Sequence, residues 1–429
     1  LTLTSLSDLS LIAFAHSHYV PDSMLSNLWR CAVRRSIPLF FTLMFLVGTD
    51  TFLVSPLLPT LSALYRIPTA QSGWITSAYA IGYFALALIA GPLSDHGDKK
   101  RVLVLGFLGF AVSTSLCALA VTFPLMLLFR FLAGACAAVA CPQIWASIPL
   151  LVDRQHLIRA MGYVSAALSV SQLAGVPIGS FLAAASWRLP FMVIGGAALV
   201  MCLVAWRLLP PLVAPEAAHP TPTQRPGILA TYRAVLANRT SVTVLLGYFL
   251  FQAGNFAVLN FIGTWMHRDF ALPLTGIGTA MIFIGVGNLI GTVFGSRLSE
   301  RIGLRRSLVL GFAALFLLYL LLPFAPGAPL ATVGLTLVIL VNGFIFPLFM
   351  TLLQSTSTGA RSTMSSLGNA AMYAGSSVAG VVGGGLIAVF PGFFGIAGFT
   401  IVAYALSLAT YAIGGSLRRD RCAEASRGT

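Results

Sequence analysis

Charge is what this sequence has least of: only 8% of its 429 residues are Asp, Glu, Lys or Arg, against 58% that are hydrophobic. Soluble domains carry about 25% charged residues, so an ordinary water-facing surface is excluded. Acids are the scarcer sign, 11 against 25 basic residues. No His/Cys cluster and no pair of carboxylates falls within an apolar stretch, so no enzymatic chemistry, metal site or cofactor is expected. The six cysteines, Cys31, Cys117, Cys136, Cys141, Cys202 and Cys422, have no metal-ligand spacing, and none lies in an expected external loop. They read as small apolar residues or free thiols rather than as a disulfide framework. Residues 1–36 lack the basic, apolar and small-residue succession of a cleaved leader. Met24 stands just before Trp29 and Arg30, so translation is expected to begin there, with residues 1–23 an upstream extension.

Long apolar runs are what the chain has instead, and its mean hydropathy is +0.92. Twelve runs stand out, at about 37–61, 72–93, 102–121, 124–150, 158–185, 189–209, 241–265, 273–296, 307–324, 328–353, 363–388 and 393–415. Each has roughly the 20 residues that a helix needs to cross a hydrocarbon core of about 30 Å. Short polar breaks separate them, so every backbone group can bond within its own helix, as lipid requires. The breaks at 122–124 and 390–392 are tight turns. The expectation is an all-α membrane protein with twelve transmembrane helices, and the lipid bilayer is its first partner.

The net charge of +14 would suggest nucleic acid for a soluble protein, but here the basic residues gather on one side of the spans. Arg30, Arg34, Arg35, Lys99, Lys100, Arg101, Arg154, Arg159, Arg297, Arg301, Arg305, Arg306, Arg418 and Arg419 fall there, and only Arg66, Arg188 and Arg268 fall opposite. The positive-inside rule then places both termini in the cytoplasm, in the inner membrane, and removes nucleic acid as a partner. The expected organisation is a cytoplasmic tail at 1–36, a six-helix bundle at 37–209, a Pro-rich cytoplasmic linker at 210–240, a second six-helix bundle at 241–416 and a tail at 417–429.

The charged loop after the second run recurs at half the chain length. Shifted by 205 positions, Leu93-Ser94-Asp95 becomes Leu298-Ser299-Glu300 and Lys100-Arg101 becomes Arg305-Arg306. Such an echo signals an internally duplicated membrane protein, hence two pseudo-symmetric bundles.

Against this background single polar residues carry weight. Asp50 is the one carboxylate within a span, and burying it there costs about 2.5 to 3.5 kcal/mol unless it is paired. Apolar surroundings favour the neutral form of any carboxyl group, which is the property a proton carrier needs. The competing reading is a structural Asp bonded to Thr49 or Thr51. Arg130 is the one intramembrane base and lies at a similar depth, so an ion pair or relay with Asp50 is open. Ser72, Thr76, Tyr79 and Tyr83 share one helix face, which either lines a cavity or packs against a neighbour. Gly175 and Gly179 allow close helix contact around Pro177, which permits a bend. The same 205-position offset takes the two glycines to Gly380 and Gly384. In the second half the polar content is amides: Gln252 and Asn255 with Tyr248, then Asn288, Asn342, Gln354 and Asn369. They are candidates for interhelical hydrogen bonds or for substrate contacts. Ser362 or Thr363 is the expected N-cap of the eleventh helix.

These elements together resemble the major facilitator superfamily over about residues 37–416. Gly91-Pro-Leu-Ser-Asp95, with Lys99 and Lys100, is similar to its motif A, although His96 and Asp98 depart from the usual Arg and Gly. Arg130 with Gly134 is similar to motif B. Ala174-Gly-Val-Pro177-Ile-Gly179 is a degenerate form of the antiporter motif C. The resemblance is to the twelve-helix drug:proton antiporter branch. It implies alternating access, a small-molecule substrate, protons as the coupling ion and a monomer. It also implies that Asp95 holds the cytoplasmic side shut at the N-terminus of the eleventh helix, with Lys99 pairing to Asp153. On this reading Asp50 and Arg130 couple protons, and Tyr79, Tyr83, Gln252, Asn255 and Asn342 face the substrate. Gly91, Asp95, Lys99, Lys100, Asp153, Gly175, Pro177 and Gly179 gate. A specific polar metabolite as cargo, or a sensor on the same scaffold, are the alternatives.

Overall fold

The structure, a computed structural model, describes residues 22–94, 98–152, 154–212, 228–355 and 361–414. Asp95, Asp153, most of the 210–240 linker and both tails, including the question of Met24, lie outside the described residues or their side chains. Among the described residues the chain is helical throughout, in the order α1 Asp22–Tyr65, α2 Thr69–Ser72, α3 Trp74–Ser94, α4 Lys99–Cys117, α5 Phe123–Leu151, α6 Arg154–Val170, α7 Val176–Ala185, α8 Leu189–Leu208, α9 Ile228–Ala237, α10 Arg239–Phe270, α11 Leu274–Ile302, α12 Leu304–Leu321, α13 Ala328–Ser355, α14 Arg361–Val389 and α15 Phe394–Ile413. Eleven described helical segments are long and apolar enough to cross a membrane. α3, 21 residues long, is not among them, and its side chains are described only as far as 88.

The helix ends follow from local chemistry. α1 stops where Arg66 turns left-handed (φ 52°) just ahead of Ile67-Pro68, and a residue before proline is driven out of the α region. α5 and α8 each carry a proline in the first turn, where the missing N–H is no loss. α10 ends on Ala271, left-handed at φ 50°, whose N–H reaches back to Met266 O. Asp98 caps α4 by accepting from Lys100 N–H at 3.0 Å. The same carboxylate oxygen accepts from Leu212 N–H at 3.0 Å, which ties this corner to the segment after α8. Between α6 and α7 a π-helical turn covers Ser171–Gly175. It comes directly before Pro177, whose ring and absent donor interrupt regular α bonding.

Two expectations are corrected. Ser72 does not share a helix with Thr76, Tyr79 and Tyr83, because the chain breaks between α2 and α3 at Gly73. The break brings Gly73 against Gly380, where a Cβ would stand 1.9 Å from the Gly380 carbonyl oxygen. The last third of the 210–240 stretch forms α9, and Tyr232 there donates to Leu88 O at 3.3 Å. α14 starts at Arg361, so Ser362 and Thr363 belong to its first turn and neither is the cap.

In the first half α3 and α4 pack on α5, α4 on α8 and α1 on α6; in the second, α11 packs on α13 and α10 on α14 and α15. Across the halves α14 lies against α2 and α3, α1 against α10, and α11 against α7 and the π turn. Large apolar side chains also cover the outside, Val121 at 74%, Leu105 at 67% and Phe324 at 68% exposure. Water would penalise such a surface and lipid does not. The molecule is an integral membrane protein.

Candidate functional site

The site begins with two charges buried away from bulk water and lipid. Asp50, midway along α1, is 0% exposed, and Arg130, in the first third of α5, is 1% exposed. Arg130 Nη1 donates to Asp50 Oδ2 at 2.8 Å. The guanidinium also lies over the Tyr79 ring of α3, 4.5 Å from its centroid. Gly134, one turn after Arg130, lets α5 come this close to α3, for a Cβ there would meet Tyr79 O at 2.0 Å. The threonines flanking Asp50 turn away from it: Thr49 donates to Phe45 O and Thr51 to Val47 O, each at 2.8 Å. Arg130 is therefore what compensates the buried carboxylate, and each charge offsets the other's desolvation. Asp50 Oδ1 and Arg130 Nε have no hydrogen-bond partner among the described residues.

Arg130 forms part of the wall of a cavity of about 30 Å³ between the two halves of the chain. The first half also contributes Thr51, Phe52, Ser55, Thr76, Tyr79, Gln172 and Val176; the second contributes Phe256, Leu259, Asn260, Met281, Ile284, Tyr373 and Ser376. Asp50 is not on the wall and stands behind the guanidinium. Contacts across the halves close around this space. Tyr83 stacks on Tyr373 with centroids 3.6 Å apart, Ser77 donates to Ser377 O at 2.7 Å, and Asn288 donates to Gln172 Oε1.

Of the five residues expected to face a substrate, only Tyr79 is on the wall. Tyr83 sits one turn further along, in the Tyr373 stack. Gln252 and Asn255 form a chain within α10, Asn255 donating to Gln252 Oε1 at 3.2 Å and Gln252 to Tyr248 Oη at 2.9 Å. Asn342 accepts from Tyr404 O–H at 3.3 Å, inside the aromatic packing of the second half. The wall residues missed from sequence are Thr51, Ser55, Gln172, Asn260, Tyr373 and Ser376. Gln172 is the one amide of its apolar run and Asn260 another amide in the same run as Gln252, so both carried a signal. The hydroxyls carried none, because serine and threonine in a membrane helix commonly bond their own backbone.

The residues expected to gate are spread out. Gly91 is in α3, and Asp95 and Asp153 lie outside the described residues. Lys99 is 8% exposed, its backbone N–H donating to Leu212 O at 3.1 Å. The Lys100 ammonium is 5.7 Å from the Trp206 ring centroid. Gly175 and Gly179 lie against α1: a Cβ on the first would meet Thr49 Oγ1 at 2.1 Å and on the second Leu53 Cδ1 at 2.4 Å. Pro177 stands between them in the first turn of α7.

The family model described as Major Facilitator Superfamily matches residues 40–380 and 244–421. The uncharacterized MFS-type transporter YceJ of Bacillus subtilis (strain 168) is 44% identical over 373 residues, 87% of this chain and 94% of that protein. The chloramphenicol resistance protein of Streptomyces lividans is 27% identical over 344 residues, 78% of this chain and 85% of its own length. Among solved structures, the nucleoside transporter NupG superposes with a TM-score of 0.69 at 14% identity, covering 90% of this chain and 99% of that one.

Proposed function

Since the chain belongs to the major facilitator superfamily, a family of membrane transporters, we propose that it exports small organic compounds by alternating access, driven by proton entry. In this reading α3 is the twelfth span, and residues 37–209 and 241–416 form six-helix bundles joined by the 210–240 linker. The protein is a monomer of the inner membrane with both termini in the cytoplasm, an orientation supported by the one-sided basic residues. A relative named for chloramphenicol resistance supports export of organic compounds.

The observation that carries the reading is the Asp50–Arg130 pair at 2.8 Å. Ionised Asp50 neutralises Arg130; a proton on Asp50 removes that compensation and leaves a buried cation, which the closed packing disfavours. Protonation thus changes which arrangement of the two halves is stable, and the gradient supplies about 2.3 kcal/mol per charge per 100 mV. Tyr79, across whose ring the guanidinium lies, keeps the cation in place when the carboxylate lets go. At the cytoplasmic side Asp95 holds the closed state against the positive N-terminus of α14, and Lys99 pairs with Asp153. Gly91, Lys100, Gly175, Pro177 and Gly179 shape the helix contacts that open and close.

Reconstituted Asp50→Asn protein is expected to lose efflux driven by a pH gradient, and to melt at a lower temperature because Arg130 is left unpaired. Undiminished gradient-driven efflux by that variant excludes Asp50 as the carrier. Asp95→Asn at matched expression is expected to lower the transport rate several-fold; an unchanged rate removes the gate. The hydroxyls and amides on the cavity wall favour, as a second reading, a specific polar metabolite as cargo. A proteoliposome panel of lipophilic drugs against sugars, purines and amino acids separates the two.

A further inference from the structure

Three buried side-chain atoms belonging to residues of the cavity wall have no hydrogen-bond partner among the described residues: Ser55 Oγ, Arg130 Nε and Asn260 Nδ2. All three residues are more than nine-tenths buried, at 5%, 1% and 6% exposure. Buried polar atoms are almost always satisfied, so three orphans on the residues of one cavity wall are groups that a bound solute can satisfy, as a water can while the space is small. A serine hydroxyl can donate or accept, and an asparagine can present either end of its amide. A guanidinium only donates. Arg130 thereby sets what the ligand must offer, which is an acceptor.

Charge narrows the class further. Arg130 Nη1 is already committed to Asp50, so the pair as a unit is neutral and gives neither sign of solute an advantage. An ammonium would bring no acceptor to Arg130 Nε, and it would face the guanidinium with no carboxylate on the wall to receive it. A carboxylate would accept from Nε but would sit close to Asp50. Either ion also loses its hydration on entry, a far larger penalty than an uncharged carbonyl suffers. Phe52, Val176, Phe256, Leu259, Met281 and Ile284 complete the wall and suit an apolar body.

We propose that this cavity selects uncharged organic solutes whose polar end is a hydrogen-bond acceptor, such as an amide, ketone or ester, and discriminates against both ammonium and carboxylate compounds. The proposal rests on the reading of this cavity as the solute site, and it names the class of solute. Arg130 Nε–H is the discriminating donor, with Ser55 and Asn260 beside it.

The test is equilibrium binding to the full-length chain in lipid nanodiscs at pH 7, using three probes with one common body: 3-phenylpropionamide, 3-phenylpropionate and 3-phenylpropylamine. The amide is expected to bind about tenfold tighter than the amine, the worth of one hydrogen bond to a charged donor, and tighter than the carboxylate, which loses more hydration and is repelled by Asp50. Arg130→Lys keeps a cation for Asp50, but a single ammonium cannot present one N–H to Asp50 and another at the place of Nε as the planar guanidinium does. This substitution is expected to bring the amide down by about tenfold, to the level of the amine. Asn260→Ala leaves the ion pair untouched and is expected to weaken the amide alone. Equal or tighter binding of the amine or the carboxylate by the unaltered protein overturns the proposal. So does the absence of saturable amide binding, or amide binding indifferent to both substitutions. Because binding is read without flux, a protein that binds the amide as expected yet moves nothing across proteoliposomes would remove the transport reading and leave this selectivity standing.

Discussion

Asp50 and Arg130 stabilise one another only while both are present. Taking away one partner leaves the other as a bare charge in a low-dielectric interior, at a cost of about 3–5 kcal/mol. Arg130→Ala is therefore expected to lower the melting temperature of the purified protein markedly. The double variant Asp50→Asn/Arg130→Gln, which removes both charges and leaves an uncharged amide at each position, should recover most of the loss. A double variant as unstable as the single one would mean that packing and not charge holds the site. Both residues stood out in the sequence because a lone charge in an apolar run is expensive and so is rarely idle. Their contact was not legible, since 80 positions separate them and periodicity says nothing about which helices meet. Asp98 shows the reverse case. In the sequence it was a departure from a motif; in the structure it caps α4 and accepts from Leu212 N–H. Asp98→Ala is expected to cost about 1 kcal/mol, read as a small fall in melting temperature.

At the scale of the helix, glycines decide where two backbones touch. Gly175 and Gly179 receive Thr49 and Leu53 of α1, a contact within the first half. Gly380 and Gly384, at the equivalent places in the repeat, receive Ser77 and Ala70, a contact between halves. The repeat was visible in sequence, but the two uses of it were not, because a small residue allows an approach without naming the partner. Gly380→Ala would put a methyl group 2.1 Å from Ser77 Oγ and 2.5 Å from Gly73 O. Backbone cannot yield cheaply, so the closed arrangement of α14 on α3 should be disfavoured and transport should fall at unchanged expression. Gly196→Ala, where a Cβ meets nothing within 4 Å, is the control. It should leave transport intact and stabilise α8 by up to about 1 kcal/mol. Equal effects of the two substitutions would refute the close-contact argument.

Taken whole, the molecule shows its halves drawn together over a space of about 30 Å³. Sites that take a drug-sized solute measure roughly 300–1,000 Å³, so solute entry requires the halves to part. Tyr83–Tyr373 and Ser77–Ser377 are among the contacts that must open. Spin labels at Leu64 and Phe390, exposed apolar positions on opposite halves, should therefore report more than one distance, with populations that shift when solute or a pH gradient is applied. One fixed distance under all conditions is incompatible with alternating access. The chain's apolar runs, its charge asymmetry and its internal echo determined by themselves that it is a helical membrane protein and where most of its helices begin and end. Those properties are local: a backbone in lipid must bond to itself, and a run of about 20 apolar residues has no other way to do so. Only the tertiary structure decided that Asp50 meets Arg130, that Gln252 bonds Tyr248 and Asn342 bonds Tyr404 within the second half, and that Ser55, Gln172, Asn260 and Tyr373 line the cavity. Which face of a helix meets a neighbour depends on side-chain fit between segments far apart in the chain, and hydropathy, nearly uniform around these helices, does not record it.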